Sequence, residues 1–315
     1  MLAYIIRRFF LMLFTLFGIS IIIFALLRVV PGNIVDILFD SAGMIDPAAK
    51  LEIEKELGLD QPLPVQYARW IGGMATGDLG YSYISEKPAI TEILPRLPIT
   101  AKLTALSLLF SILMGVPLGV ISAVRQNSVT DYLLRMLSLT GLSIPAFWLG
   151  LLLLMAIVSG FDTMPMYTNM PTGFWSQVGL FAIPAAAVGF RSSSLIMRMT
   201  RSSMLEVMRQ DYIRTARAKG LSRQSVNYNH ALRNAMLPVV TVIGIEAAFL
   251  VGGLVVTESV FNIPGVAQFL VESIRMRDYP IVQNLVMLIA VVVVLVNFIV
   301  DMLYTALDPR IAFSN

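Results

Sequence analysis

The chain has 315 residues, of which 57% are hydrophobic and only 14% are charged, and its formal net charge is +3. Soluble domains are about 45–50% apolar and about 25% charged, so this composition indicates a membrane protein. The absence of cysteine excludes disulfides, cysteine-ligated zinc and iron–sulfur clusters, and the single histidine, His230, excludes a multi-histidine metal site.

Six apolar runs are long enough to cross a bilayer, for which a helix needs about 20 residues. They lie at about 9–30, 101–124, 133–158, 178–199, 236–257 and 282–306. The fourth run is the weakest, because Pro184 and Arg191 interrupt it. The first run is longer than the apolar region of a signal peptide, and no small-residue cleavage site follows it, so an uncleaved helix is predicted. We therefore expect an all-α integral membrane protein with six transmembrane helices.

The orientation follows from the distribution of lysine and arginine, which concentrate in cytoplasmic segments. If the N-terminus is cytoplasmic, the basic stretch 191–233 falls inside, whereas the outside loops at 159–177 and 258–281 contain two basic residues. The sequence thus predicts that both termini are cytoplasmic (N-in/C-in).

The segment between the first two spans then lies outside the membrane. It is polar, and 68 residues without secondary structure would be unusual, so a small external (periplasmic) subdomain is favoured over a solvated loop. Asp46 and Pro47 resemble an N-cap followed by proline at the first helical position, which predicts a short helix over 47–58. The predicted plan has three parts, namely the N-terminus and first transmembrane helix at 1–30, the external subdomain at 31–98, and a five-helix core at 99–315 with a cytoplasmic loop at about 201–235.

Motifs for familiar enzyme chemistry are absent. The sequence contains no G-x-x-x-x-G-K-[ST] phosphate loop, no G-x-S-x-G elbow and no H-E-x-x-H zinc motif. Acidic residues within the predicted spans are few, which argues against a proton-relay pump. The chain is therefore predicted not to be an enzyme, and transport, channel or scaffold functions remain, with active transport needing an energy source from elsewhere.

The loop between the fourth and fifth spans reads "DYIRTARAKGLSRQSVNYNHALRNAMLP" and is strongly basic. An apolar repeat that includes Ile213 and Ala216 predicts a helix, which Gly220 ends as a C′ glycine. Ser222 is a plausible N-cap for a second short helix, which Pro238 would end or kink. Two readings are open for this loop: it could rest on anionic lipid head groups, or its small residues beside a hinge glycine could dock a protein.

The motifs of the whole chain resemble those of ABC-importer permeases of the dipeptide, oligopeptide and nickel family, of the first permease subunit type. The loop matches the coupling motif of that family, with "RTA", Gly220 and a later "LP", although Arg214 and Thr215 stand where the generic motif has Glu and Ala. The resemblance extends over "GLDQPLPVQYARW", "GDLGYSY", "SIPAFWLGLLL", "TESVFNIPGV", "MRDYPIVQ" and "LDPR". The family's usual Pro-Gly-Asp is Pro31-Gly32-Asn33 here.

This resemblance implies an inner-membrane subunit that works with partners. These would be a homologous second permease, two cytoplasmic ABC ATPases that bind ATP and Mg, and an external substrate-binding protein, within the lipid bilayer and without nucleic acid, cofactor or metal in this chain. The coupling to the ATPase would fall on Asp211, Arg214, Thr215, Ala216, Arg217 and Gly220. A bulky residue at Ala216 or Gly220 is then expected to uncouple ATP hydrolysis from transport.

Two charges lie within predicted spans, where an unpaired charge is costly. Arg191 in the fourth span and Glu246 in the fifth are about level with each other, from the 1.5 Å rise per helical residue. We hypothesise that they face the same interior of the translocation pathway. They could pair with each other, Arg191 could snorkel while Glu246 lies beside pore water, or one of them could meet a charged substrate terminus.

The favoured function is the permease subunit of an ATP-driven importer of di- or oligopeptides. Within the same family the cargo could instead be a nickel chelate, glutathione or an oligosaccharide. Outside it, the alternatives are a non-transporting membrane scaffold that docks a soluble partner, and a self-sufficient channel or carrier.

Overall fold

The computed structural model describes residues 2–29, 58–82, 84–161, 165–167 and 170–307, with isolated helical positions at 35, 51, 54 and 55. Within these ranges the fold is helical apart from one antiparallel hairpin of two strands. The elements, in chain order, are α1 (Leu2–Val29), α2 (Leu63–Thr76), β1 (Tyr81–Ser82), β2 (Lys87–Pro88), α3 (Ala89–Ile93), a 3-10 turn (Leu94–Arg96), α4 (Leu97–Val124), α5 (Val129–Ser143), α6 (Ala146–Phe161), α7 (Phe174–Val207), α8 (Asp211–Ala218), a π-helix (Ser225–Leu232), α9 (Arg233–Gly253), α10 (Val255–Phe261), α11 (Val266–Arg275) and α12 (Tyr279–Leu307).

The predicted all-α membrane fold is confirmed. Among the described residues, five helical stretches are long and apolar enough to cross a membrane, and there are six if one bent pair of helices counts as a span. The five are Tyr4–Val29, Ala89–Val124, Phe174–Val207, Ser225–Gly253 and Tyr279–Leu303. The division of the chain into three parts stays a prediction. The orientation also stays a prediction, so "cytoplasmic" and "external" denote the predicted sides of the membrane.

The third predicted span, 133–158, is not one helix. It consists of α5 and α6, which meet at an angle of 103°. Ile144 joins them with extended backbone (φ −85°, ψ 126°), because Pro145 disfavours the helical conformation in the residue before it and has no N–H to continue the hydrogen-bond ladder. Proline therefore breaks this span, which the sequence predicted as one helix.

The fourth predicted span is the most enclosed of the five single spans among the described residues. Helix α7 runs unbroken for 34 residues through Pro184 and Arg191. In its most apolar window 61% of the residues are buried inside the chain, against 39% or less in the other four single spans. Its modest hydropathy follows from its partners, since a helix surrounded by other helices needs small residues for close packing more than it needs lipid-compatible ones.

Close approach of α4 and α7 forms the centre of the molecule. A Cβ atom at Gly115 of α4 would lie 2.7 Å from the carbonyl oxygen of Ser193, and one at Gly189 of α7 would lie 2.6 Å from the carbonyl oxygen of Ser107. Each helix thus presents a glycine where the backbone of the other passes. Such small-residue contacts are the usual basis of tight helix pairing in membranes.

The first span packs along the last one. Near the cytoplasmic end, Arg8 Nη1 lies 2.8 Å from Asp301 Oδ2. Near the external end, Arg28 Nη1 donates to Gln283 Oε1 at 3.3 Å. Helix α1 is thus attached to α12 at both ends, while its other side carries large exposed apolar residues such as Phe10 and Phe14 that suit contact with lipid.

The described part of the predicted external subdomain is bound to the start of α12. Trp70 Nε1 of α2 donates to Asn284 Oδ1 at 2.9 Å, and Asn284 Nδ2 donates to the carbonyl oxygen of Leu79 at 2.5 Å. Ser82 of the hairpin donates to the buried carboxylate of Asp278. The predicted helix at 47–58 lies mostly outside the described residues, as does Pro31-Gly32-Asn33.

Glu258 connects three helices on the external side. Its Oε2 accepts from the N–H groups of Ala267 and Gln268 at the start of α11, both at 2.9 Å. Its Oε1 accepts from Thr100 Oγ1 of α4 at 2.6 Å. Burial raises the pKa of Glu258, while its hydrogen-bond donors oppose that rise. The side chain thus caps α11 and ties α10 and α11 to α4.

Candidate coupling helix and membrane-embedded charges

Helix α8, the predicted coupling helix, packs on the cytoplasmic ends of the membrane helices. A turn at 208–210 ends α7, and α8 then begins at Asp211. Ile213 and Ala216 face inward, with 0% and 8% of their surfaces exposed. They join a buried apolar cluster, referred to below as the cytoplasmic core, that contains Val120, Ala123, Met204, Ile213, Ala216, Val226, Ala231 and Ala235.

The position of Ala216 corrects the predicted docking surface. Ala216 was predicted to be one of the residues that dock a partner, but it is buried in the cytoplasmic core. Because helical residues advance by 100°, the face opposite Ile213 and Ala216 is formed by other residues. Those residues are exposed, and they are Asp211, Arg214, Thr215 and Ala218, referred to below as the outward stripe. Arg217 is also exposed, at the edge of this stripe.

Gly220 ends α8 as the sequence predicted. Its φ of +80° lies in the left-handed region that favours glycine. Its N–H donates to the carbonyl oxygen of Arg217 at 3.0 Å, and the next N–H, of Leu221, donates to that of Ala216 at 3.4 Å. A Cβ at Gly220 would meet no atom within 4 Å, so the backbone conformation is what demands glycine here.

The predicted second short helix is not separate from the fifth span. Ser222 caps the segment as expected, since its Oγ accepts from Ser225 N–H at 3.3 Å. The chain then forms the π-helix Ser225–Leu232, which continues into α9 and through Pro238 without a break. Packing against α7 stabilises this arrangement, because Ser203 Oγ donates to the carbonyl oxygen of Ala235 at 2.8 Å. Proline within a membrane helix is tolerated where neighbouring helices support it.

A buried ion pair lies beside the cytoplasmic core, and the sequence analysis missed it. Asp131 of α5 accepts from Arg201 of α7 through two hydrogen bonds of 2.8 Å. It also accepts from Ser122 Oγ of α4 at 2.5 Å and from Asn127 N–H at 3.0 Å. The local signal was Ser128, whose Oγ accepts from Asp131 N–H in an N-capping arrangement. The ends of α4, α5 and α7 are thus fixed next to the surface on which α8 packs.

Arg191 and Glu246 lie at the same level of the membrane, but they do not pair. Glu246 of α9 is buried and accepts from Ser192 Oγ at 2.5 Å. The Arg191 guanidinium instead lies over the ring of Phe249, with its carbon 4.7 Å from the ring centroid. Arg191 and Ser192 are successive residues, about 100° apart around α7, so only one of them can point at Glu246. The paired version of the hypothesis is therefore wrong, and contact with substrate stays untested.

In the described part of the chain, no group of three or more His, Asp or Glu side chains is placed so that it could hold a metal ion.

Comparison with known proteins identifies the family. The sequence model of the "Binding-protein-dependent transport system inner membrane component" family matches residues 115–313, and that of its N-terminal part matches residues 1–104. The chain is 41% identical to the dipeptide transport system permease protein DppB of Escherichia coli K12, over 99% of each chain. It is 38% identical to the oligopeptide transport system permease protein AppB of Bacillus subtilis, over 99% of this chain and 100% of the relative. It is 37% identical to the glutathione transport system permease protein GsiC of Escherichia coli O6:H1, over 100% of both.

Among solved structures, the fold is similar to that of the MetNI methionine ABC transporter in an inward-facing form. The TM-score is 0.58 and the identity is 19%, over 69% of this chain and 97% of that one. This similarity shows the fold alone, while the full-length relatives show the class of protein. The chain therefore belongs to the family of binding-protein-dependent transport system inner membrane components, the multi-pass inner-membrane permeases of ABC importers.

Proposed function

We propose that this permease imports peptides, and that ATP hydrolysis by separate partner ATPases drives it. The cargo class is supported by the relatives, whose names specify dipeptide, oligopeptide and glutathione transport. The chain contributes no phosphate-binding loop of its own, so the ATP and Mg would be bound by two cytoplasmic ATPase subunits. A homologous second permease would complete the pathway, and an external binding protein would deliver the peptide.

The position of α8 supports the coupling part of this proposal, because one face of the helix is packed and the opposite face is exposed. Ile213 and Ala216 bind it to the cytoplasmic core, and Asn234 Nδ2 donates to Tyr212 Oη at 3.0 Å, which ties it to the start of α9. The outward stripe is left exposed. A partner that moves this stripe would move the attached helix ends, because packed interiors transmit displacement with little compression.

The roles of the coupling residues follow from these positions. Asp211, Arg214 and Thr215 would contact the ATPase directly, and Arg217 would lie at the rim of that contact. Ala216 would hold α8 on the cytoplasmic core, and Gly220 would set the direction in which the chain leaves the helix.

Within the membrane, Arg191 would line the translocation pathway and Glu246 would lie behind it. Glu246 is 5% exposed and engaged by Ser192, which suits a positioning role between α7 and α9. Arg191 is partly exposed and stands on an aromatic ring, which suits contact with a passing solute.

The test is peptide uptake by proteoliposomes that contain this chain, a candidate second permease, the ATPase pair and the binding protein. We expect uptake of a labelled dipeptide that requires ATP. A Thr215→Trp variant places a bulky group on the outward stripe and should lower uptake by about tenfold or more, because overpacking an interface costs about 1–3 kcal/mol. The thermal stability of the chain should hardly change, since Thr215 is exposed and its hydroxyl bonds only to the carbonyl oxygen of Asp211 in its own helix.

The matched control is Gln126→Trp, an exposed position on the neighbouring cytoplasmic turn. This variant should transport like the wild type. Uptake without ATP, or equal loss of uptake in both variants, would contradict coupling through α8.

A further inference from the structure

Helix α7, although the most enclosed span, has one open side. In its second half, four residues that are not buried recur at spacings of three or four positions and so lie on one face of the helix. They are Arg191, Leu195, Arg198 and Ser202, referred to below as the open stripe. The remaining faces of α7 pack against α4, α5, α6 and α9.

Two arginines lie on this stripe, seven residues apart and therefore about 10 Å apart along the helix axis. Arg191 contacts the ring of Phe249, and Arg198 is exposed. Within the described part of the chain, neither of them forms an ion pair, since the pairs found there join Arg8 to Asp301, Arg201 to Asp131 and Arg214 to Asp211.

A charged group in a membrane helix normally meets a partner or a water-filled space, because contact with hydrocarbon is costly. Glu246, the acid level with Arg191, accepts a hydrogen bond from Ser192 and forms no ion pair with the guanidinium. The open stripe is therefore better suited to an aqueous pathway than to lipid. No acidic side chain of the described residues forms an ion pair with either arginine, so both can bind an anion that comes from outside the chain.

The chemistry of the stripe indicates which anion would bind. A guanidinium presents its N–H groups in a planar fork that matches a carboxylate, and a ring against one face of Arg191 leaves that edge available. Dipeptides, oligopeptides and glutathione, the cargoes in the names of the relatives, all carry a carboxylate. We propose that Arg191 and Arg198 bind the carboxylate of the cargo in succession as it crosses the membrane. This inference rests on the proposed peptide import and adds a specificity determinant to it.

The experiment compares two cargoes that differ only at the carboxylate. The binding protein is loaded beforehand with a dipeptide or with its C-terminal amide, and a single round of uptake is measured in proteoliposomes of the complete transporter. Loading each cargo in advance removes differences in its capture. In the wild type we expect the free acid to cross faster than the amide.

The Arg191→Gln variant should slow uptake of the free acid by about tenfold, because it removes a hydrogen bond between two charged groups. Uptake of the amide should change by less than about twofold, and Arg191→Lys should restore part of the selectivity, since it keeps the charge but loses the fork. Arg198→Gln should have the same sign of effect. The control is Arg135→Gln, which removes an exposed arginine of another helix, α5, that lies over Tyr132.

An equal loss for both cargoes in Arg191→Gln would overturn the proposal. If that equal loss came with weaker co-purification of the second permease, the stripe would bind an acidic residue of that subunit instead. Unchanged uptake of both cargoes would also overturn it. A wild-type complex that takes up neither cargo would overturn the peptide function itself. The proposed binding of the carboxylate by Arg191 and Arg198 would fall with it.

Discussion

At the scale of single residues, Asp131 joins the ends of three helices on the cytoplasmic side. Its carboxylate is fully buried and accepts four hydrogen bonds, including two from Arg201 and one from Ser122. A buried ion pair adds little net stability over an apolar replacement, but removal of one partner leaves the other charge without compensation. This asymmetry makes Asp131 sensitive to a change that hardly alters its size.

We predict that Asp131→Asn lowers the free energy of unfolding by about 2 kcal/mol or more. The substitution removes the charge that Arg201 faces, and Arg201 keeps only part of its surface in water, with 19% of its side chain exposed. Thermal unfolding of the purified chain in detergent micelles measures the effect. Asp60→Asn, at an exposed position of the external segment, serves as the control and should unfold at the wild-type temperature. Similar melting temperatures for Asp131→Asn and the wild type would contradict this prediction.

At the scale of elements, α8 offers a second test, because its two faces should respond differently to added bulk. Ala216→Leu inserts three heavy atoms into the cytoplasmic core, and overpacking of this kind costs about 1–3 kcal/mol. We expect this variant to lose both thermal stability and uptake. Thr215→Trp should lose uptake alone, because its side chain lies on the outward stripe.

The same pair of readouts distinguishes Gly220. An alanine there meets no neighbouring atom, but it must adopt φ near +80°, which costs about 1 kcal/mol. Gly220→Ala should therefore unfold at a slightly lower temperature and transport less than the wild type. If Ala216→Leu kept full stability, the inward position of Ala216 would be wrong.

The elements differ in how far they could be predicted from the sequence. Apolar length locates the spans well, because any helix that crosses lipid must satisfy it. It does not predict the 103° bend at Pro145, since proline signals a break while the angle depends on the packing of α5 and α6. Hydropathy also underrates α7, whose small residues serve contact with helices.

In the candidate site, too, some features could be predicted from the sequence and others could not. The left-handed end of α8 could be predicted, because glycine at Gly220 is a local signal. The apolar repeat also put Ala216 on the face of Ile213, yet its small size suited a partner surface equally well. The contacts of Asp131 with Arg201, and of Glu246 with Ser192, join residues 70 and 54 positions apart. No local pattern specifies such pairs, since they depend on which helices pack together.

At the scale of the whole molecule, α4 and α7 form a central pair that links the two sides of the membrane. Thr100 near the start of α4 contacts Glu258 on the external side, and Ser122 near its end contacts Asp131 beside the cytoplasmic core. Movement of α8 can therefore reach the external helices through this pair if α4 and α7 move as one unit. The close packing that would make them one unit depends on the glycines between them.

We predict opposite effects for the same substitution at two glycines of this pair. A Cβ at Gly119 of α4 would lie 2.6 Å from Thr200 Cβ and 2.7 Å from the carbonyl oxygen of Met197, so Gly119→Ala must push the helices apart. We expect it to lower the free energy of unfolding by about 1–3 kcal/mol and to reduce uptake. A Cβ at Gly179, near the external end of α7, would meet nothing within 4 Å. Gly179→Ala should stabilise the chain by about 0.5–1 kcal/mol, because alanine loses less backbone entropy in a helix.

The two variants share the residue change and the helical setting, so their difference isolates the contact between α4 and α7. Thermal unfolding and ATP-dependent uptake would be measured on both. If α4 and α7 transmit the movement as a unit, Gly119→Ala should lose uptake while ATP hydrolysis by the assembled complex continues, because the ATPases would then move α8 without moving the external side. Equal stability and equal uptake in the two variants would show that the close approach of these helices is not needed for transport.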